Sequence, residues 1–271
     1  MSERIYKVKL RDNNEIPVVG LGTWRLSGRE GISVIRKAID LGYTHFDTAE
    51  MYSNESDIGM AIHGYKRSNL FITSKVWPNH LHYNDVITAC ESSLKKLGID
   101  YLDLYLIHWP NNRVPMEETF EAMAELQKRE LVESIGVSNF TITHLEKALR
   151  VGQVNIVTNQ VEFHPYLYQK KLLEYCTTHN IVLTAYSPIA RGEILKEPVL
   201  IRIAKTYGKT TAQVALRWLL QKGLIAIPKA SKEKHLKENI ALFDWSLTED
   251  DISSIDNIPK EKRLVDLSFN W

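Results

Sequence analysis

LFITSKVWPNHLHYNDVITACESSLKKLGIDYLDLYLIH (70–108) opens on an apolar, β-rich run, LFITSK, and closes on a second, LDLYLIH. Between them NDVITACESSLKKLG carries helical spacing and stops on two lysines and Gly98, a helix-end signature. Two continuous apolar runs joined by a helix describe parallel strands covered on both faces. Working outward, the same alternation fills the chain. Six further runs are VVGLG (18–22), THFD (44–47), SIGVSN (134–139), IVTNQV (156–161), VLTAYS (182–187) and LIAIPK (224–229). Helix-period segments separate them. GISVIRKAIDLG (31–42) places Ile32, Ile35, Ala38, Ile39 and Leu41 near one face, and PMEETFEAMAELQKRE (115–130) has acidic residues in its first turn. TITHLEKALRVG (141–152) runs from Thr141 as candidate N-cap to Gly152. QKKLLEYCTTHN, EPVLIRIAKTYG, TTAQVALRWLLQKG and KEKHLKENIALF follow. Eight strands alternating with helices in 271 residues predict an α/β (β/α)8 TIM barrel, a single domain over 1–271. Ahead of it YKVKLRDNNEIPVV alternates apolar and polar residues about Asp12-Asn13-Asn14 and reads as a β-hairpin closing the barrel bottom.

Composition narrows the function. Hydrophobic residues are 44% and charged residues 25%, which excludes a disordered or collagen-like chain. Lys+Arg number 34 against 33 Asp+Glu, and so balanced a surface argues against nucleic acid or an anionic membrane as partner. No stretch nears the ~18 apolar residues of a membrane span, and MSERIYKVKLRD lacks a signal-peptide core, so a cytoplasmic location is expected. Cys90 and Cys176 are too few and too far apart for a disulfide framework or a metal site; they read as buried apolar residues. His63, His80, His82, His144 and His179 lack ligand spacing, and no metal is expected.

A barrel of this type puts its chemistry at the C-terminal strand ends. Here these carry Thr23-Trp24, Asp47, Lys75, His108, Ser138-Asn139, Gln160, Ser187 and Lys229. An acid, a lysine and a histidine on successive strands can converge, and Tyr52 lies near enough to Asp47 to fold back over them. A phenol is a poor acid at neutral pH. A neighbouring ammonium lowers its pKa, a carboxylate keeps that lysine charged, and a histidine can donate to a carbonyl oxygen. Singly, each residue reads more often as structural, a salt bridge, a neighbouring tyrosine or a core histidine; as a set they make a proton donor for a forming alkoxide. Gly20-x-Gly22 lacks a third glycine, so it reads as tight backbone leading to Trp24 rather than a phosphate loop.

The motifs GLGTW (20–24), GYTHFDTAEMYSNE (42–55), FITSKVW (71–77), DLYLIHWP (103–110), IGVSNF (135–140), NQVEFHP (159–165), AYSPIARG (185–192), AIPK (226–229) and KEN (237–239) run in an order that resembles the aldo-keto reductases along essentially the whole chain. The overall pattern looks most like microbial glyoxal and diketogluconate reductases. The resemblance implies carbonyl reduction with a nicotinamide dinucleotide. It places a catalytic tetrad on Asp47, Tyr52, Lys75 and His108, with Tyr52 as general acid. It places the carboxamide on Ser138, Asn139 and Gln160, with Asp47, Gly22 and Thr23 nearby, and the nicotinamide ring on Tyr186. Ser187, Pro188, Ile189 and Arg191 match the pyrophosphate loop, Lys229 and Ser231 the 2′-phosphate site, and Glu238 and Asn239 the adenine contacts. Trp24, Trp77 and Trp109 match an aromatic substrate pocket shared with Tyr52 and His108.

There are departures. Ala230 stands where the family has serine, and His235 where an arginine usually meets the 2′-phosphate. A neutral imidazole holds a phosphate less well than a guanidinium fork, so NADPH is expected with some use of NADH. Small 2-oxoaldehydes such as methylglyoxal, or diketo-sugar acids, are the implied substrates, acted on by a monomer. His164 reads as an anchor for the loop after the sixth strand, and the tail EKRLVDLSFNW as a substrate-facing segment in which Phe269 and Trp271 could fold over the site. Two alternatives remain: a non-catalytic dinucleotide-binding redox sensor or subunit, which an intact tetrad disfavours, and a phosphate-substrate barrel isomerase or lyase, whose glycine-rich loops AYSPIARG and AIPKAS imitate poorly.

Overall fold

The computed structural model describes residues 6–152 and 154–265. The chain begins with an antiparallel hairpin, β1 (Lys7–Lys9) against β2 (Glu15–Pro17). Eight parallel strands follow: β3 (Leu21–Gly22), β4 (His45–Asp47), β5 (Phe71–Val76), β6 (Leu102–Ile107), β7 (Val132–Ser138), β8 (Ile156–Glu162), β9 (Val182–Tyr186) and β10 (Ile225–Ala226). They pair in sequence order, and a parallel bridge between Val19 and Ala226 joins the last strand to the first. Gly20 N donates to Ala226 O at 2.9 Å, and Ala226 N to Val18 O at 2.9 Å. The sheet therefore closes, as the strand count predicts.

Helices α1 (Gly28–Asp40), α2 (Glu55–Ile62), α3 (Tyr83–Leu97), α4 (Met116–Lys128), α5 (Ile142–Val151), α6 (Lys170–Thr178), α7 (Pro198–Tyr207), α8 (Thr211–Gln221), α9 (Glu233–Ile240) and α10 (Glu249–Asp256) surround it. α3 ends where its sequence says: Gly98 sits at φ 65°, a left-handed turn that costs glycine nothing. Thr141 caps α5, its hydroxyl accepting from His144 N at 3.3 Å. α2 and α10 have no counterpart in the sequence reading, α2 because its residues lie inside the motif that carries Tyr52. None of the helices among the described residues is long and apolar enough to cross a membrane.

Strand pleating divides the core in two. Along β5, Ile72 and Val76 pack outward under the helices, while Phe71 joins an inner cluster with Leu104, Leu106, Val157, Ile225 and Ile227. Leu10 and Ile16 of the hairpin complete that inner cluster. Burying Ile16 fully is worth about 1.5–3 kcal/mol. Polar bonds fix the hairpin's position: Asn14 Nδ2 donates to Ser134 Oγ at 2.9 Å, and Ser134 Oγ donates to Asp12 Oδ2 at 2.7 Å. The hairpin thus plugs the end where strands begin, leaving the opposite end for chemistry. Cys90 and Cys176 are both buried.

Candidate active site

Gly20 and Gly22 lie at the start of the site for reasons of space. A Cβ on Gly20 would stand 2.6 Å from the His45 ring, and one on Gly22 would stand 2.8 Å from Ile227 O. Close approach of neighbouring strands, not a phosphate turn, requires both glycines. Register then aligns Gly22 with Asp47, Ser138 with Gln160, and Glu162 with Tyr186, so the inward-facing ends of adjacent strands share one rim. Lys75 lies near the end of β5, and His108 directly follows β6.

Tyr52 arrives differently. It ends a single turn of 3₁₀ helix, Glu50–Tyr52, broken by Ser53 at φ 55°. Asn54, which sequence reasoning passed over, holds this turn against the barrel. It is buried, it accepts from Thr48 Oγ1 at 3.0 Å, and it donates to Thr23 O at 2.8 Å and Leu26 O at 2.7 Å. One amide therefore ties the Tyr52 turn to the loop bearing Trp24. Trp24 is 41% exposed and meets the Tyr52 ring edge-on at 4.8 Å.

At the centre Lys75 is wholly inaccessible. Its Nζ donates to Asp47 Oδ1 at 2.6 Å, Thr48 O at 2.7 Å and Tyr52 Oη at 3.4 Å. The other Asp47 oxygen accepts from Gln160 Nε2 at 2.7 Å. Burial disfavours the charged form of Lys75, but Asp47 and the Tyr52 oxygen outweigh it and the pKa rises, so the lysine stays charged. For Tyr52 the balance falls the other way from expectation. Lys75 does pull the phenol pKa down, yet burial is the larger effect and the net direction is up. The phenol is therefore fully protonated, and the ammonium acts on the phenolate only once the proton has left. His108 is pushed far below the usual imidazole range by burial and by Lys75, and is neutral with one N–H. Its ring lies 5.7 Å from that of Tyr52 and 5.1 Å from that of Trp77.

These groups open onto a cavity of about 590 Å³, within the range of small-molecule sites. Its wall contains Gly22, Thr23, Trp24, Asp47, Tyr52, His108, Trp109, Ser138, Asn139, Gln160, Tyr186, Ser187, Pro188, Ile189, Arg191 and Lys229, all expected from sequence. Arg25, Met51, Gly192, Ile227 and Val265 also line it and were not foreseen. Ile227 had a signal, since it alternates with Ile225 on the inward face; Val265 had none that was local. Five expected residues lie off this wall: Lys75 is wholly buried and reaches it only through Asp47 and Tyr52, Ser231 and His235 are exposed beyond it, Glu238 pairs with Lys234 at 3.8 Å, and Asn239 is buried within α9. Trp77 is also off the wall, its ring edge-on to that of His108. Phe269 and Trp271 lie outside the described residues.

Polar groups along the wall are pre-positioned. Tyr186 Oη donates to Asn139 Oδ1 at 2.9 Å, Asn139 Nδ2 donates to His108 O at 3.0 Å, and Ser138 Oγ donates to Gln160 O at 2.8 Å. The loop after β9 is strained: Ser187, Ala190 and Arg191 have φ of 48°, 46° and 52°. Such conformations cost roughly 1–3 kcal/mol each and cluster at ligand clamps. A larger cavity of about 810 Å³ lies outside the barrel among α1, α2 and α3, but it holds none of the convergent groups. Its arginines are engaged with helix-end carbonyls, Arg36 with Met60 O at 3.0 Å and Arg67 with Leu70 O at 2.8 Å.

Comparison with known proteins agrees with this geometry. Residues 18–260 match the Aldo/keto reductase family. The chain is 43% identical to the glyoxal reductase of Bacillus subtilis, over 95% of this chain and 94% of that protein. It is 40% identical to the methylglyoxal reductase DkgA of Escherichia coli O157:H7, over 95% and 94%. The crystal structure of an aldo-keto reductase complexed with NADPH superposes with a TM-score of 0.91 at 32% identity, covering 97% of this chain and 90% of that one. A closed parallel barrel with a buried lysine–carboxylate–phenol centre and relatives of this similarity has one reading: the chain belongs to the aldo/keto reductase family of oxidoreductases.

Proposed function

We propose that this protein reduces small aldehydes and ketones to alcohols, 2-oxoaldehydes such as methylglyoxal foremost and diketo-sugar acids next, with NADPH as preferred cofactor. The observation that carries the reading is the Tyr52 hydroxyl held 3.4 Å from an inaccessible Lys75 ammonium, itself bound to Asp47, on the wall of the cavity. Bound in that cavity, a reduced nicotinamide supplies a hydride. Ser138, Asn139 and Gln160 offer the amide and hydroxyl groups to hold its carboxamide, Tyr186 its ring, and the strained 187–192 loop with Arg191 and Lys229 the phosphates. Exposed Lys232 and Lys234 extend the positive charge beyond Lys229 toward a 2′-phosphate, with His235 exposed between them and α9's later turns.

The residues' own work follows from their charge states. His108, neutral, donates its N–H to the substrate carbonyl and fixes its direction. Tyr52 gives its proton to the oxygen as negative charge develops there. The phenolate left behind is stabilised by Lys75, which Asp47 and Thr48 O hold in place. Trp24 and Trp109 supply apolar wall.

The test is NADPH consumption with methylglyoxal, aromatic aldehydes and keto-acids. Turnover supports the reductase. NADPH binding with no carbonyl reduced across the panel overturns it in favour of a dinucleotide-binding sensor. Tyr52→Phe should lower turnover by about 10²–10⁴-fold with NADPH affinity nearly intact; comparable turnover refutes the role given to Tyr52.

A further inference from the structure

Glu162 is the last residue of β8, two beyond Gln160 and so on the same inward face. Its side chain and that of His164 are both wholly inaccessible. One carboxylate oxygen accepts from His164 Nε2 at 2.9 Å and from Leu264 N at 2.7 Å; the other accepts from Val265 N at 2.8 Å. An ionised carboxylate removed from water is costly unless fully bonded, and here three donors satisfy it. Two of the three come from a segment about a hundred residues later in the chain. That segment is tied again by Lys262 N to Tyr166 O at 2.7 Å, and by the Lys262 ammonium to Glu193 at 2.7 Å. It ends, among the described residues, with Val265 in the wall of the cavity that Trp109 and Tyr186 also line.

The geometry points to Glu162 as a positioning residue that sets which carbonyl compounds the cavity admits. By accepting both amides it fixes Leu264 and Val265, and with them the part of the cavity wall that Val265 forms. His164 fixes Glu162 in turn, which gives the loop anchor expected from sequence a further purpose. The effect on substrate choice rests on the reductase reading; the clamp itself does not.

Glu162→Gln keeps the shape but turns one acceptor into an NH₂ facing a backbone N–H. Hydrogen exchange at the Leu264 and Val265 amides should then speed up about 10- to 100-fold, the loss expected for bonds to a charged group. In steady-state kinetics the preference for an aromatic aldehyde over methylglyoxal should shift roughly tenfold toward the bulkier substrate, through KM rather than kcat, with NADPH affinity unmoved. Val265→Ala should shift the same preference in the same direction while the Leu264 amide remains protected, and it carries the kinetic test if the Gln variant fails to fold. Unchanged exchange overturns the clamp. Faster exchange with all substrates and NADPH altered alike overturns the specificity role. If the wild type reduces no carbonyl, the reductase reading falls while the exchange measurement still decides the clamp.

Discussion

Replacing Lys75 by Met isolates what the buried ion pair does. Methionine approximates the lysine stem but removes the charge, and the ammonium loses contacts to Asp47 Oδ1 at 2.6 Å, Thr48 O at 2.7 Å and Tyr52 Oη at 3.4 Å. Asp47, 1% exposed, is left with the Gln160 amide and no counter-charge at hydrogen-bonding distance. Breaking a buried pair by deleting one partner costs about 3–5 kcal/mol, because the remaining charge is stranded rather than because the pair was strongly favourable. Asp47→Leu alone should cost a similar amount by stranding Lys75. The double variant Lys75→Met/Asp47→Leu strands no charge. It leaves Gln160 Nε2 and Thr48 O short of a bond, at about 1–3 kcal/mol each, while Tyr52 Oη, also released, lies on the cavity wall. Its destabilisation should therefore match or fall below either single variant and lie far below their sum. Urea denaturation followed by fluorescence, with equal m-values across the four proteins, gives these energies. All three variants should lose turnover. Two results refute the reasoning: a Lys75→Met cost under about 1 kcal/mol, or costs that add to within about 0.5 kcal/mol, as they do for residues that do not interact.

Three further outcomes follow from particular contacts. His45 is fully buried, and burial lowers its pKa from 6.5 to about 4. The unfolded chain therefore binds the proton first, so stability is full above pH 6.5 and declines toward pH 4 by about 3 kcal/mol. His45→Gln should flatten that part of the pH–stability curve, and parallel curves for the two proteins would count against it. Gly136→Ala places a Cβ 2.6 Å from Leu106 Cδ2 and 2.9 Å from Thr158 O inside the barrel, which should cost about 1–3 kcal/mol in thermal or urea unfolding; an unchanged midpoint would mean the barrel wall yields. His235→Arg, at an exposed position on α9, should tighten NADPH over NADH by up to about 2 kcal/mol in paired Kd measurements, and an equal effect on both would place residue 235 away from the 2′-phosphate.

What was legible in the sequence was whatever repeats or whatever is local. The strands could be read because a parallel strand covered on both faces is an apolar run, and their alternation with helices left few topologies open. The meeting of Asp47, Lys75 and His108 could be anticipated because they sit at strand ends, where a barrel must put its chemistry, whereas Tyr52, on a 3₁₀ turn, was placed beside them by its nearness to Asp47 and by motifs that resemble a family. What escaped depends on sums of competing effects or on contacts across long stretches of chain. A lysine beside a phenol predicts a lowered pKa, but how far Tyr52 is buried cannot be read from spacing, and burial decides the direction. Asn54 looks like an ordinary turn residue until Thr23 and Leu26 are brought to it. Glu162 stands in a motif quoted whole for its resemblance, yet what it binds, the amides of Leu264 and Val265, is a backbone contact that no side-chain pattern could announce. The site is thus written twice in the chain: once in residue types, which a reader of sequence can find, and once in the backbone groups those residues hold in place. The second set, through Val265, shapes part of the cavity wall, and on the role proposed for Glu162 the choice of substrate follows from it, which is why reaction class is read from the sequence more readily than specificity.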